Sequence, residues 1–227
     1  MAKKQIQTKN TSSATTAQVG QAVRLGIFGA SGSGKTTKAR ELTRELRRVI
    51  YFDPLAEWAE EKTVRRFRYL EDLKKAVGDN FANGFRFALI PSFGDEEKIL
   101  HDLSYWLTEI QAGYGKTHAA QITLVIDELD QSFPTGAMQK NRKNGFGFLC
   151  CRGRHFGINI IGISQRMHLV DNVFRANCSG LYLFRHSEPA DIDIGVKILG
   201  REYRTEFQNL PNYAYFFKNG EKIIKKQ

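Results

Sequence analysis

The stretch Gly29-Ala30-Ser31-Gly32-Ser33-Gly34-Lys35-Thr36 decides the fold of this chain. It fits the pattern G-x-x-x-x-G-K-[ST], in which glycines let the backbone curl until successive N–H groups point at phosphate oxygens. Residues 23–28 precede it and are typical of a buried strand, whereas Ala39, Leu42 and Leu46 follow at helical spacing. The pattern therefore predicts a strand, a phosphate-binding loop and a helix, in that order.

The positions of this loop, the Walker A motif, have predicted roles in binding a nucleotide. Lys35 can reach the β- and γ-phosphates, and the Thr36 hydroxyl can ligate magnesium. The N-terminus of the following helix adds positive potential. A glycine-rich turn without a ligand is the alternative. We predict ATP and Mg²⁺ as cofactors, with nucleotide contacts from Gly29, Ala30, Ser31, Gly32, Ser33, Gly34, Lys35, Thr36 and Thr37.

The composition suits one globular domain. Hydrophobic residues make up 41% of the 227 residues, which is enough to bury a core. No apolar run approaches the roughly 18 residues that span a bilayer, so we do not expect the chain itself to be transmembrane. Lys3 and Lys4 have no apolar stretch behind them, unlike a secretory signal. The three cysteines cannot all pair, and we predict reduced thiols, with Cys150 and Cys151 as small core residues.

The chain divides into an N-terminal arm and a domain. Residues 1–22 are rich in Ser, Thr, Gln and Lys, which predicts a flexible polar arm. Residues 23–227 alternate strands and helices, which predicts a single domain. Its fold class is α/β, with a mostly parallel central sheet, helices on both faces and a C-terminal β-hairpin, because continuous apolar strands suit a parallel sheet. The predicted strands are 23–28, 49–52, 85–90, 122–126, 158–163, 181–184 and 213–217, and the predicted helices are 35–47, 70–77, 96–112, 140–155 and 189–199.

An acidic pair follows the apolar strand 122–126. An acid at the C-terminal end of a strand is the Walker B pattern, and it should share an edge of the sheet with the phosphate-binding loop. Asp127 is predicted to hold magnesium, directly or through water. Glu128 is predicted to deprotonate the water that attacks the γ-phosphate. A solvated acidic turn is the alternative, since Asp130 follows closely.

Two further segments carry candidate catalytic residues. Strand 158–163 ends near Gln165, whose amide can contact the γ-phosphate or its attacking water; a polar residue that only closes the strand is the alternative. Upstream, Arg152 and Arg154 end a predicted basic helix. Either arginine can act as a finger on a neighbouring subunit's nucleotide, contact a phosphate backbone, or be an ordinary solvated residue.

The basic charge points to a polyanionic partner. The formal net charge is +10, from 34 Lys and Arg against 24 Asp and Glu, which favours nucleic acid first and an anionic membrane second. Residues 131–145 follow the acidic pair and are polar, basic and interrupted by Gly and Pro, which predicts a flexible loop leading into a helix. Such a loop is either a DNA contact coupled to hydrolysis or a plain linker.

Three segments together resemble the FtsK–HerA superfamily of P-loop motor ATPases. They are residues 29–36, residues 122–128, and residues 152–166, where a basic helix end, a short strand and Gln165 follow one another. The small size is most similar to that of the genome-packaging ATPases of tailless, internal-membrane, double-stranded DNA phages of the tectivirus type.

The resemblance implies a RecA-like core, a homo-oligomeric ring, often a hexamer, and ATP-driven movement of double-stranded DNA into a preformed capsid. It implies partners at a capsid vertex or in a membrane-docking complex, and a location at the packaging vertex of the virion and in the host cytoplasm. By the same resemblance Lys35, Thr36, Asp127, Glu128 and Gln165 take the roles given above. No motif identifies the arginine finger.

Other functions stay open on the sequence alone. An assembly or secretion ATPase of the filamentous-phage type shares the Gln-bearing strand, but that class normally has a transmembrane helix. A small-molecule kinase uses the same loop and would need a mobile lid with acceptor-binding arginines. A GTPase is disfavoured because no Asn-Lys-x-Asp motif is present. A protein in which nucleotide only stabilises assembly is the non-enzymatic alternative.

Overall fold

The computed structural model describes residues 22–113 and 121–226. Within these ranges the strands are β1 Arg24–Phe28, β2 Arg48–Phe52, β3 Arg65–Phe67, β4 Phe85–Leu89, β5 Ile122–Ile126, β6 Ile158–Ser164, β7 Gly180–Phe184, β8 Tyr215–Asn219 and β9 Lys222–Lys226. The α-helices are α1 Lys35–Thr43, α2 Leu70–Asn80, α3 Glu96–Ile110, α4 Leu129–Ser132, α5 Ala137–Lys140, α6 Gly145–Arg152, α7 Asn172–Asn177, α8 Pro189–Leu199 and α9 Arg204–Gln208.

The strands form one sheet in the order β3-β4-β2-β5-β6-β1-β7-β8-β9. Strands β1 to β7 pair in parallel, whereas β8 and β9 are antiparallel and form the predicted C-terminal hairpin. The carboxyl ends of β1, β5 and β6 therefore meet at one edge of the sheet, here called the carboxyl edge. The predicted fold class is confirmed.

Both faces of the central strands are buried. Neighbouring residues of a strand point to opposite sides of the sheet, and every residue of β2, β5, β6 and β7 is buried. On β5, Leu124 belongs to one apolar cluster and Val125 to the other. Helix α1 packs on the second face through Ala39, and helices α2, α3, α6 and α8 cover the first. Continuous apolar strands are the sequence signal for this arrangement.

The helix predicted over 140–155 is present, but with narrower bounds. Helix α6 begins only at Gly145, because Asn144 has an extended backbone and its side chain accepts a hydrogen bond from the Gly147 N–H. The helix ends at Arg152, and a 3-10 turn covers Gly153–Phe156. A separate turn of helix, α5, precedes it.

The prediction of a flexible loop over 131–145 is wrong. Phe133 and Ala137 are buried in the core, and Pro134 forms a β-bridge with Val170. The Met138 N–H donates to Asp171 Oδ2 at 3.1 Å. The segment is therefore folded against the body of the domain, and its exposed basic residues project from a fixed base.

Smaller differences concern β3, the cysteines and the arm. Strand β3 escaped prediction because two of its three residues are arginines. Cys150 is buried as predicted, but Cys151 is exposed. The predicted arm lies outside the described residues except for Ala22, which is buried. Among the described residues, no helix is both long enough and apolar enough to cross a membrane.

Candidate nucleotide-binding and hydrolytic site

The loop between β1 and α1 has the backbone that its glycines predict. Gly32 and Gly34 have φ angles of 69° and 106°, in the left-handed region that favours glycine. A Cβ atom at Gly29 would lie 2.5 Å from Cβ of Phe184, so a side chain does not fit there. The loop therefore curls tightly against the end of β7 and leaves its N–H groups at the N-terminus of α1.

The polar side chains of this loop fit a phosphate ligand. The Lys35 ammonium is buried and donates to the carbonyl oxygen of Ala30 at 3.0 Å, across the loop. Burial lowers its pKa, opposed by the charges of Glu128 and Asp127. Ser33 is fully buried, and its Oγ has no hydrogen-bond partner among the described residues. Phosphate oxygens would provide a partner for the Ser33 hydroxyl and further acceptors for the Lys35 ammonium.

The other predicted nucleotide-binding residues lie around the same loop. Ser31 and Thr37 are exposed and Thr36 is half-buried, in the first turn of α1 or just before it. The Ala30 N–H donates to the carbonyl oxygen of Arg185 at 2.8 Å, which ties the loop to the end of β7. Thr36 and Thr37 are thus available at the helix N-terminus for a metal-bound triphosphate.

Asp127 is held in place by two donors at the end of β5. Its Oδ2 accepts from the indole Nε1 of Trp58 at 2.8 Å, and its Oδ1 accepts from the Glu128 N–H at 3.0 Å. Burial raises the pKa of Asp127, although both hydrogen bonds and Lys35 oppose this. A magnesium ion would compensate the negative charge of this buried carboxylate. The Asp127 carboxylate and the Thr36 hydroxyl are oxygen ligands of the kind that Mg²⁺ prefers.

Glu128 lies beside Asp127 and contacts Gln165. Its backbone φ is 46°, a left-handed conformation that costs a non-glycine residue about 1–3 kcal/mol. Its Oε1 accepts from the Gln165 amide Nε2 at 2.9 Å. Burial raises the pKa of Glu128, and the Gln165 hydrogen bond lowers it. A carboxylate with a raised pKa is a stronger base, which suits proton abstraction from water.

The ends of β5 and β6 are tied together below this contact. The Ser164 hydroxyl donates to Asp130 Oδ1 at 2.5 Å, and the Arg166 N–H donates to Ser164 Oγ at 3.0 Å. Because Ser164 is the last residue of β6, these bonds hold Gln165 over the start of α4. The Glu128–Gln165 pair is therefore preorganised by its neighbours.

Asp53 and Trp58 belong to the site and were missed in the sequence. Asp53 follows β2, is fully buried, and its Oδ2 accepts from the N–H groups of Trp58 and Ala59 at 3.0 and 2.9 Å. Burial raises the pKa of Asp53 to about 6. The signal was available, because Phe52-Asp53 repeats the apolar-strand-then-acid pattern of Ile126-Asp127. No pattern pointed to Trp58.

Arg152 and Arg154 do not join these residues. Both are exposed and precede β6, whereas Gln165 follows it. Seven residues of strand separate the two ends by about 20 Å. The Arg152 guanidinium lies over the ring of Phe148, 5.6 Å from its centroid. The two arginines thus lie at the opposite edge of the sheet, here called the amino edge.

This chain matches no protein-family model and no curated protein. Solved structures do match it. The genome packaging NTPase B204 from Sulfolobus turreted icosahedral virus 2, in complex with ATP-gammaS, has a TM-score of 0.70 at 15% identity, covering 90% of this chain and 97% of B204. Its complex with AMPPCP has a TM-score of 0.68 at 16% identity, with the same coverage. The chain has the fold of a viral genome-packaging NTPase.

VirB4 of Thermoanaerobacter pseudethanolicus shares this fold. Its TM-score is 0.61 at 14% identity, and the match covers 90% of this chain and 88% of VirB4. The predicted P-loop NTPase core and the resemblance to packaging ATPases are thus confirmed at the level of the fold. At these identities the likeness concerns the fold alone.

Proposed function

We propose that this protein is an ATPase that hydrolyses ATP at the carboxyl edge. The observation that carries the proposal is the Glu128–Gln165 hydrogen bond of 2.9 Å, beside the buried Asp127. It combines a carboxylate of raised pKa with an amide that can report on the γ-phosphate. B204, which shares the fold, is described in complexes with ATP-gammaS and AMPPCP.

Each residue has one task in this reaction. Thr36 and Asp127 would hold Mg²⁺, which would supply positive charge to the phosphate oxygens. Lys35 leaves the Ala30 carbonyl and donates to the β- and γ-phosphates, which stabilises the charge that develops on the transferred group. Glu128 accepts a proton from the attacking water, and Gln165 orients the carboxylate and water. ADP and phosphate are the products.

We further propose that hydrolysis moves double-stranded DNA, as in a genome-packaging motor. Support comes from the likeness to B204, which is described as a genome packaging NTPase, and from the net charge of +10. Lys140, Arg142 and Lys143 are exposed, and within the described ranges none of them forms an ion pair. A homo-oligomeric ring, virion or capsid-vertex partners, and a role at the packaging vertex complete this proposal.

A phage assembly or secretion ATPase is the second candidate. The observation in its favour is the likeness to VirB4, which covers 88% of that chain. The two candidates share the ATP site and differ in what the oligomer moves. Stimulation of hydrolysis by DNA therefore separates them.

The first experiment measures ATP hydrolysis with and without long double-stranded DNA at low salt. A packaging motor should hydrolyse ATP faster with DNA, and the Lys35→Ala variant should be inactive in both conditions. Hydrolysis that does not respond to DNA would favour the second candidate. Hydrolysis that survives in Lys35→Ala would contradict the assignment of the site.

A second experiment locates the DNA contact. Replacing Lys140, Arg142 and Lys143 by Gln should weaken DNA binding and reduce the salt dependence of log K by a slope of about 2 to 3, because each phosphate contact contributes about 0.9. The matched control replaces the exposed Lys62, Arg66 and Arg68 by Gln, with the same loss of charge. If both triple variants weaken DNA binding equally, residues 140–143 are not the specific DNA contact.

A further inference from the structure

The order of the strands determines the direction in which a nucleotide lies on the loop. The residues proposed to act on the γ-phosphate follow β5 and β6, which lie on one side of β1. Strands β7 and β8 lie on the other side. If the triphosphate points its γ end toward Glu128, its base must leave the loop on the side of β7 and β8. This inference rests on the proposed ATPase function.

Tyr213 stands on that side, against the phosphate-binding loop. Its backbone N–H donates to the carbonyl oxygen of Ser33 at 3.1 Å. A Cβ atom built on Gly34 would lie 3.0 Å from Cδ1 of the Tyr213 ring, so the ring borders the start of α1. The next residue, Ala214, is buried and leads into β8. Tyr213 is thereby fixed to both the loop and the sheet.

The Tyr213 side chain is more exposed than its surroundings predict. It is 68% exposed, although the residues after it, Ala214, Tyr215 and Phe216, are buried. Its φ of 68° is in the left-handed region, which costs an aromatic residue about 1–2 kcal/mol. Glycine or asparagine would fit this backbone better. Tyr213 thus combines a strained backbone with a large, exposed ring next to the proposed phosphate loop. This combination suggests that the ring contacts the ligand.

We propose that the Tyr213 ring is the platform on which the base of the bound nucleotide stacks. A flat π-face next to the phosphate loop can cover a purine base, and stacking of this kind needs no hydrogen-bond partner. The contact acts on the base and not on the phosphates. Tyr213 would therefore contribute to the affinity for ATP and not to the affinity for inorganic triphosphate.

The experiment compares two ligands and two variants. Binding of a non-hydrolysable ATP analogue and of inorganic tripolyphosphate, each with Mg²⁺, is measured by calorimetry for the full chain, Tyr213→Asn and Tyr213→Phe. We expect Tyr213→Asn to bind the ATP analogue about tenfold more weakly and tripolyphosphate unchanged, with Tyr213→Phe like the original chain. Since asparagine tolerates a positive φ, the Tm of Tyr213→Asn should be equal or higher.

Tyr69→Asn is the matched control, because Tyr69 is 72% exposed and lies just before α2, far from β7 and β8. Equal binding of the ATP analogue by Tyr213→Asn and the original chain would overturn the assignment of Tyr213. Equal losses for both ligands would also overturn it, because the ring would then act on the phosphate loop. Failure of the original chain to bind either ligand would overturn the ATPase proposal itself, and this inference with it.

Discussion

The charged side chains at the two edges of the sheet differ in their exposure to solvent. At the carboxyl edge Lys35, Asp127 and Glu128 are 8%, 7% and 8% exposed, and each has a hydrogen-bond partner. At the amino edge Arg152 and Arg154 are exposed to solvent. The groups that we propose act on a nucleotide bound to their own chain are buried and held in position, which suits that role because desolvation strengthens their electrostatic effect. Groups that could act on another molecule remain hydrated until it binds.

Burial of acidic groups at the carboxyl edge destabilises the fold when no cation is bound there. Three carboxyl groups (Asp53, Asp127 and Glu128) are buried close together, and burial raises the pKa of each. Lys35 compensates only part of this negative charge. A bound magnesium ion would compensate more, and the folded protein is thereby prepared for it.

The largest expected effect is the loss of ATP hydrolysis when Glu128, at the carboxyl edge, is replaced. Glu128→Gln keeps an acceptor for Gln165 and removes the base, so we expect ATP hydrolysis to fall about 100- to 10,000-fold with ATP binding retained. Steady-state hydrolysis and nucleotide binding measure the two effects. Asp130→Asn is the matched control and should stay active, since its amide oxygen can still accept from Ser164. Undiminished hydrolysis by Glu128→Gln would remove Glu128 from the role of base.

The next effect tests whether the amino edge acts on a neighbouring subunit. Joint replacement of Arg152 and Arg154 by Ala should leave ATP binding by the chain unchanged and lower hydrolysis by the oligomer about 100- to 1,000-fold. Mixing this variant with Lys35→Ala should restore part of the activity, because each chain supplies what the other lacks. If mixtures show no recovery while both variants assemble, the two arginines are not fingers.

A smaller effect is expected at Trp58, which positions Asp127. Trp58→Phe keeps a ring stacked on Tyr51, whose centroid lies 4.6 Å from that of Trp58, but loses the N–H donated to Asp127. We expect the Mg²⁺ concentration for half-maximal hydrolysis to rise about 10- to 100-fold, as for other partners of metal ligands. Trp106→Phe is the control, because it makes the same change at a half-buried tryptophan away from Asp127 and should leave the Mg²⁺ requirement unchanged. An unchanged Mg²⁺ requirement would reduce Trp58 to a packing role.

The last prediction concerns stability, and not activity, at Asp53. Because its pKa rises from 3.8 to about 6 in the folded state, the folded state binds the extra proton between these values. The free energy of unfolding should therefore fall as pH rises from about 4 to about 6, by about 3 kcal/mol. Asp53→Asn should raise Tm by about 5–10 °C at pH 8 and change it little at pH 4. A variant with lower Tm at pH 8 would show that the carboxylate stabilises the fold.

Much of the fold was predictable because its signals are local. Apolar runs identified the strands of the sheet other than β3, and the glycines of residues 29–36 predicted the left-handed turns of the loop. The bounds predicted for the helix at 140–155 were too wide because Asn144 caps the helix, which therefore begins only at Gly145. The 131–145 prediction failed because polar composition hid the buried Phe133 and Ala137.

By itself the sequence determined the glycine-rich loop between β1 and α1, the acids after β5 and the α/β fold, since each depends on residues near one another in the chain. Only the tertiary structure decided that β6 lies between β1 and β5, which brings Gln165 to Glu128, and that Trp58 reaches Asp127. It also decided that Tyr213 lies against the loop. The physical reason is that these contacts join residues far apart in the chain, and no local pattern records which strands become neighbours.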